Sequence, residues 1–177
     1  MLYTIGYDGI EYKDFLEILK KYSIDRIEDI RDMPEGMEKY FSIPSIFYSN
    51  DEGFSSKRKE FYLYPNGYLD FNLCRLSKKF RLAQWEVEKV LMGGKNVLIF
   101  DEASDPIESP RGILIGKVFS WNGYGVNHIV GKKTYGQEKL EDRLMSMYYP
   151  GEERTKKLLL DCYRRQNEKI GWRPPFV

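Results

Sequence analysis

Apolar residues at the start of the chain follow two spacings in succession. The stretch "LYTIGY", residues 2–7, is strand-sized and mostly apolar, and Gly6 interrupts it. Between residues 12 and 19, apolar and aromatic side chains recur every three or four positions, which is the spacing of one helix face. The stretch "IDRIEDIR", residues 24–31, is again strand-sized. The pattern predicts a strand, a helix and a second strand.

The second half of the chain repeats this alternation. A helical pattern ends at Gly93 and Gly94, and an apolar strand follows over residues 96–100. The stretch from Pro110 is apolar nearly all round, as expected for a crossover helix buried against a sheet. Residues 125–130 predict a further strand, which we expect to be the last. The C-terminal third is predicted to be helical, with one apolar face formed by Leu158, Leu159 and Cys162.

The segment 33–73 between these halves holds turn formers and aromatic residues without a sustained period. We expect one or two short helices there and a short strand near residues 60–64. Alternating strands and helices predict a single α/β domain over residues 1–177, with a Rossmann-like three-layer fold and a mostly parallel sheet flanked by helices. Residues 33–73 form its irregular insert, and residues 136–177 form a helical extension.

Charge and composition narrow the classes of function. Lysines and arginines number 28 against 27 aspartates and glutamates, so no overall field favours nucleic acid or an acidic membrane. No stretch approaches the ~20 apolar residues of a membrane helix, and no secretory signal pattern opens the sequence. We therefore expect a cytoplasmic protein with no membrane partner. Cys74 and Cys162 are predicted to be reduced and buried, and no cysteine or histidine spacing indicates a metal site.

Ligands of parallel α/β sheets bind outside the carboxyl ends of the strands, which selects four turns for inspection. These turns are residues 6–9, 29–34, 101–111 and 131–133, and all carry polar or charged groups. In the first turn, Asp8 either caps the following helix or lies where a phosphate approaches glycine backbone. In the second, Arg31 either pairs with Asp29 or Asp32 or presents a planar fork to an anion.

The third turn combines helix capping with a candidate anion site. Ser109 at the N-cap and Pro110 at the first helical position form a preferred helix start that needs no ligand. The same arrangement directs backbone N–H groups and the positive end of the helix dipole toward the site. Arg111 in the first turn opposes that dipole, so we expect Glu102 or an incoming anion to compensate it. His128 within the last predicted strand is either a satisfied strand histidine or a catalytic base.

The motifs "YTIGYDG", "IEDIRDMP", "VLIFDEASDPIESPRGILIGKVF" and "VNHI", taken in order, resemble the domain-of-unknown-function 488 family (DUF-488) over roughly residues 2–130. The resemblance implies a Rossmann-like fold and a site at these turns, without a reaction. Family members commonly carry His-Ser, Cys-Ala-Glu and Cys-His where this chain has Tyr7-Asp8, Phe100-Asp101-Glu102 and Ser109-Pro110. A cysteine nucleophile or a Cys/His metal site cannot operate through those positions here. The residues that the resemblance carries over are Thr4, Gly6, Asp29, Arg31, Pro34, Glu102, Arg111 and His128.

The leading functional hypothesis is a site for a small anionic, phosphate-bearing and nucleotide-like ligand, in a binding protein or an enzyme. Arg31 and Arg111 would clamp the anion, and aromatic residues of the insert would either stack a base or form core. The candidate ligand-binding residues are Asp8, Arg31, Glu102, Ser109 and Arg111, with Thr4, Gly6, Asp29, Asp32, Asp101 and His128 in support.

Two alternatives come from other classes of function. Asp8, Asp32, Asp101 and Glu102 would hold Mg²⁺ in a metal-dependent phosphoryl hydrolase or nuclease. Local basic runs would instead bind nucleic acid, although each such run is more often a solvated face. The basic runs are Lys57-Arg58-Lys59, Lys132-Lys133, and Lys156-Lys157 with Arg164-Arg165.

The C-terminal residues Trp172 and Phe176 are expected to pack either on their own domain or against a second subunit, which leaves monomer and homodimer open.

Overall fold

A computed structural model describes residues 1–7, 10–31, 43–50, 53–54 and 67–171. The predicted strand near residues 60–64 and the C-terminal Trp172 and Phe176 lie outside these ranges. The described strands are β1 (Leu2–Gly6), β2 (Ile24–Asp29), β3 (Phe47–Ser49), β4 (Asn96–Asp101), β5 (Val126–Val130) and β6 (Lys133–Gly136). The helices are α1 (Tyr12–Lys21), α2 (Phe71–Cys74), α3 (Lys78–Met92), α4 (Lys117–Trp121), α5 (Gln137–Tyr148) and α6 (Lys156–Ile170).

The six strands form one sheet in the order β3-β2-β4-β1-β5-β6. All neighbouring pairs are parallel except β5 and β6, which form an antiparallel hairpin. The predicted α/β fold with a mostly parallel sheet is confirmed. The expectation that residues 125–130 form the last strand is wrong, because the chain turns at Gly131 and adds β6 at the sheet edge. In dinucleotide-binding sheets the first strand lies beside the second. Here β4 lies between β1 and β2.

Side chains alternate across the strands and build two hydrophobic layers. On one face, Phe15 and Leu19 of α1 pack against Ile5, Leu98 and Phe100. The opposite face is covered by α3, α4, α5 and α6 in a larger core that includes Val97 and Ile99. Helices therefore flank the sheet on both sides. None of the helices in the described ranges is long and apolar enough to cross a membrane.

The segment from Pro110 is helical as predicted, but its first part is not an α-helix. Residues Arg111–Gly116 form a π-helix, every residue of which is buried, and α4 continues from it. The short strand β3 was not predicted, since Phe47–Ser49 shows no alternation of its own. Both cysteines are free and buried, as the sequence predicted.

Candidate functional site at the carboxyl edge of the sheet

The topology places the expected ligand crevice between β1 and β4. The connection that leaves β1 contains α1 and lies on one face of the sheet, whereas the connection that leaves β4 contains α4 and lies on the other. Such a switch point opens a crevice at the carboxyl ends of adjacent strands. Gly6 and Asp101 are register partners at this point.

Residue 6 must be glycine because the segment after β4 passes very close to its Cα atom. The backbone N–H of Tyr7 donates a hydrogen bond to the carbonyl oxygen of Asp101 at 2.7 Å. A Cβ atom on Gly6 would overlap the carbonyl oxygen of Ala103. The segment after β4 therefore packs directly on the end of β1, and the absence of a side chain at Gly6 makes that packing sterically feasible.

Hydrogen bonds from Arg111 hold this segment after β4 in place. Its side chain is fully buried, and its guanidinium donates to the carboxylate of Asp101 and to the carbonyl oxygens of Ala103 and Ser104. Burial raises the pKa of Asp101, and the charge of Arg111 opposes that shift. The carboxylate that compensates the charge of Arg111 is that of Asp101. Glu102, the partner expected from the sequence, is exposed to solvent. The Nε atom of Arg111 is buried and has no hydrogen-bond partner in the part of the chain that the structure describes.

Ser109 caps the helix as predicted and has a second bond. Its hydroxyl accepts the backbone N–H of Arg111 at 3.0 Å and donates its own proton to the carboxylate of Asp101. The carbonyl oxygen of Ser109 accepts the N–H groups of Gly112 and Ile113. Asp101, Ser109 and Arg111 thus form one buried cluster, which we call the Arg111 cluster.

Arg31 lies in a second cluster with Asp29. The Arg31 side chain donates to the Asp29 carboxylate from Nε at 2.9 Å and from a terminal nitrogen at 2.6 Å, and the Arg31 backbone N–H donates at 3.1 Å. Tyr48 donates its hydroxyl to the same carboxylate at 2.6 Å, and burial raises the pKa of Tyr48. The guanidinium carbon lies 4.6 Å from the ring centre of Phe100 and 5.4 Å from that of Tyr7. The ion pair between Arg31 and Asp29 is one of the two alternatives left open by the sequence.

The two arginines occupy opposite faces of the sheet. Phe100, beside Arg31, packs in the α1 layer, whereas Asp101, beside Arg111, follows Val97 and Ile99 on the other face. Successive strand residues point in opposite directions, so β4 separates the two guanidinium groups. The described residues therefore do not assemble Arg31 and Arg111 into one clamp.

His128 is a satisfied strand histidine in the core. Thr4, its register partner on β1, lies 2.7 Å from Nδ1, and Gln137 Oε1 lies 2.7 Å from Nε2. The amide nitrogen of Gln137 donates to the Gly112 carbonyl and the Tyr163 hydroxyl, so its oxygen accepts from His128 Nε2–H. Thr4 then donates to Nδ1 of a neutral ring. Burial lowers the pKa of His128 to about 4.

Gln137, Tyr163 and Glu141 complete this network and were not singled out from the sequence. The Tyr163 hydroxyl donates to Glu141 at 2.8 Å, and the indole N–H of Trp121 donates to the same oxygen at 3.0 Å. All three side chains are buried. The available signal was a glutamine and a glutamate on the face of α5 that is otherwise apolar through Leu140, Leu144 and Met145, since buried polar residues require partners.

The described residues do not favour the magnesium alternative. They contain no group of three or more His, Cys, Asp or Glu side chains that could hold a metal ion. The carboxylate of Asp101 is engaged by Ser109 and Arg111, and Glu102 is exposed. Asp8 and Asp32, the other two proposed ligands, lie outside the described ranges.

The two arginines of the basic run on α6 are paired with nearby carboxylates. Arg164 forms ion pairs with Asp161 and Glu168 at 2.7 Å each, and Arg165 pairs with Asp161 at 2.7 Å. These contacts remove much of the field that a phosphate backbone would meet. The run at Lys57-Arg58-Lys59 lies outside the described residues.

The aromatic residues of the insert take different positions where they are described. Phe54 is fully buried in the core, Phe47 is 59% exposed, and Tyr48 belongs to the Asp29 cluster. Five other aromatic residues of the insert lie outside the described ranges: Tyr40, Phe41, Phe61, Tyr62 and Tyr64.

No protein-family model, curated protein or solved structure matches this chain. Fold and site together define an α/β protein with a six-stranded, mostly parallel sheet and two buried arginine clusters at its carboxyl edge.

Proposed function

We propose that this chain binds a phosphate-bearing, nucleotide-like ligand at the carboxyl edge of the sheet, on the α1 face beside Arg31. The observation that carries the proposal is the orientation of the Arg31 guanidinium by a buried carboxylate and two aromatic rings. Only 7% of the Arg31 side chain is exposed, and an ion pair with an anion is stronger where water is excluded. A preorganised guanidinium also loses little side-chain entropy on binding.

The other candidate residues then divide by position. Glu102, exposed after β4, lies at the same edge and would contact the ligand. Asp101, Ser109 and Arg111 would hold the segment after β4 in place without touching the ligand. The resemblance of the strand-end motifs to the domain-of-unknown-function 488 family supports the same location, and we infer membership of that family with the proposal.

Ligand-induced thermal stabilisation tests the proposal. Wild type and Arg31→Gln are melted with inorganic phosphate, nucleotides, and short DNA and RNA, with and without Mg²⁺, at two salt concentrations. At ~100 times its dissociation constant, a ligand stabilises the native state by about 2.7 kcal/mol. For a chain of this size that corresponds to a melting shift of about 5–10 °C. We expect a nucleotide to shift wild type and to leave Arg31→Gln unshifted.

Arg26→Gln is the matched control. Arg26 lies on β2, pairs with a carboxylate two residues away at Glu28, and stacks on the Phe47 ring at 4.8 Å. Arg26 lies within the strand, whereas Arg31 follows the carboxyl end of β2, so the nucleotide shift is expected to persist in this variant. A shift of equal size in Arg31→Gln, or no shift in wild type with any phosphate compound, overturns the proposal. A shift produced by nucleic acid alone and only at low salt favours the basic runs instead.

A further inference from the structure

The outer face of α3 carries large apolar side chains. Leu82, Trp85 and Met92 are 52%, 53% and 68% exposed, while the opposite face of the helix packs in the core. With Lys89 they recur at intervals of three, four and three residues, so they form one line along the helix, which we call the α3 stripe. Tryptophan and methionine are enriched at protein interfaces, and an apolar stripe on the outside of a helix is typical of a contact surface.

The spacing of the α3 stripe is that of the a and d positions of a coiled coil. Leu82 and Lys89 take a positions, and Trp85 and Met92 take d positions. In a coiled coil the neighbouring e and g positions select the partner and its orientation. The residues beside the stripe therefore show which surface fits it.

Charged residues flank the α3 stripe on both sides. Lys79 and Glu86 occupy e positions, and Arg81 and Glu88 occupy g positions. Each side thus has a cation near the start of the helix and an anion seven residues later. The helix dipole favours the reverse order, and the first turn of α3 holds no acidic residue. The dipole of α3 itself does not account for this arrangement of charge.

A second copy of α3, packed antiparallel, matches these charges in one register. When Leu82 of one copy packs on Trp85 of the other, e positions face e positions and g positions face g positions. Lys79 then lies opposite Glu86, and Arg81 lies opposite Glu88. The two-fold axis repeats each contact, which gives four pairs of opposite charge.

A parallel pair of α3 helices matches fewer charges. In that arrangement a g position faces the e position five residues later, so Arg81 meets Glu86. Lys79 and Glu88 then meet no opposite charge on the facing helix. Charge complementarity therefore favours the antiparallel pair.

The charges at the g positions are available for such a contact. Within the part of the chain that the structure describes, Arg81 and Glu88 form no ion pair. Glu88 accepts hydrogen bonds from the neutral amides of Gln84 at 2.9 Å and Asn122 at 3.2 Å. Its negative charge is therefore not compensated by either contact.

Lys89 fits within the α3 stripe despite its charge. Its Nζ pairs with Glu86 at 2.7 Å and lies 3.8 Å from the ring centre of Trp85. The ion pair compensates the ammonium group, and the aliphatic part of a lysine side chain covers apolar surface. The stripe therefore presents a mainly apolar surface between its charged flanks.

We propose that the α3 stripe is the contact surface of a homodimer, in which a second copy of this chain packs its α3 antiparallel to the first. A helix of 15 residues is about 22 Å long, and a contact of this length belongs to the small, weak class of interfaces. We expect a dissociation constant of about 10–100 µM. Association should weaken at high salt, because exposed ion pairs are screened.

Sedimentation equilibrium with exchanged charges tests the proposal. Wild type is expected to pass from monomer to dimer between about 5 and 500 µM, a range that brackets this dissociation constant. Arg81→Glu and Glu88→Arg should each weaken the dimer about 10- to 30-fold, because each reverses a charge pair that occurs twice. The double variant should return to within about threefold of wild type, because it exchanges the two charges.

Leu82→Glu and Leu160→Glu form a matched pair of apolar-to-charged substitutions. Both leucines are exposed, but Leu160 lies on α6, so only Leu82→Glu should abolish the dimer. Wild type that stays monomeric at the highest concentration overturns the proposal, as does a dimer that survives Leu82→Glu. A dimer unaffected by Glu88→Arg, or one that the double variant does not recover, overturns the antiparallel arrangement. Circular dichroism confirms that the compared variants are folded.

Discussion

Ionisable side chains are buried in this protein in two ways, seen at Arg111 and Asp29 and at His128. Arg111 pairs with Asp101, and Asp29 pairs with Arg31, so each buried charge meets an opposite charge. His128 instead remains uncharged, because Thr4 and Gln137 satisfy both ring nitrogens of the neutral form. A buried pair and a buried neutral ring avoid the same desolvation penalty by different means.

We predict that acid destabilises the protein through His128. The folded pKa of about 4 lies below the unfolded value of 6.5, so between these values the unfolded chain binds a proton that the folded protein does not. The contribution of His128 to stability is complete above pH 6.5 and falls by about 3 kcal/mol as the pH approaches 4. Urea unfolding of wild type and His128→Gln between these pH values measures it.

Nitrogen-15 NMR checks the same prediction at the residue. His128 is the single histidine of the sequence, so its imidazole signals need no assignment by mutation. We expect the Nε2–H tautomer to persist well below the ordinary histidine pKa. A titration midpoint near 6.5 contradicts the prediction.

At the scale of elements, the connection from β4 to α4 depends on consecutive caps. The Asp105 carboxylate accepts the N–H of Ile107 at 3.1 Å and begins a short 3₁₀ turn, Pro106–Glu108. Ser109 then begins the π-helix and bonds to Asp101 at the end of β4. Each cap satisfies N–H groups that helix starts leave without partners. Ser109 therefore links the start of the π-helix to the end of β4.

We predict that Ser109→Ala destabilises the protein more than Ser77→Ala. Ser77 caps α3 by accepting the N–H of Phe80 at 3.2 Å, so its loss removes one capping bond, about 1 kcal/mol. Ser109 adds the bond to the Asp101 carboxylate, so its removal should lower the free energy of unfolding by about 2–4 kcal/mol. Urea unfolding of the two variants gives the comparison. Equal losses would mean that the bond between Ser109 and Asp101 contributes no net stability.

At the scale of the whole molecule, Gln137 joins segments that are distant in sequence. Its amide accepts from His128 on β5 and donates to Gly112 in the π-helix and to Tyr163 on α6. Tyr163 continues the network to Glu141, whose other oxygen pairs with Arg154. The sheet and the C-terminal helices are therefore connected by polar bonds as well as by apolar packing.

We predict that Gln137→Met lowers the free energy of unfolding by about 3 kcal/mol. The substitution preserves side-chain volume but leaves the His128 N–H and the Gly112 carbonyl buried without this partner. Gln84→Met is the control, because Gln84 bonds to Glu88 along one helix and is half-buried. Urea unfolding should place this control within about 0.5 kcal/mol of wild type. Similar losses in both variants contradict the role of Gln137 as a connection.

Much of the fold was predictable because hydrophobic periodicity is local. Apolar spacing located β1, α1, β2, α3, β4, β5 and α6, and Ser109 with Pro110 located the helix start. The edge strands β3 and β6 were not predicted, since a strand of three or four residues carries too little pattern. The π-helix was missed as well, because an apolar stretch buried on all sides has no face from which to measure a period.

The sequence by itself determined which residues lie at the ends of the strands, because those ends follow from the local pattern. Only the tertiary structure decided their partners. The insertion of β4 between β1 and β2 brings Asp101 beside Gly6, and strand alternation directs Asp101 to Arg111 while Phe100 faces Arg31. The partners of a buried charge depend on which distant strand lies alongside, and spacing within one segment carries no information about that neighbour.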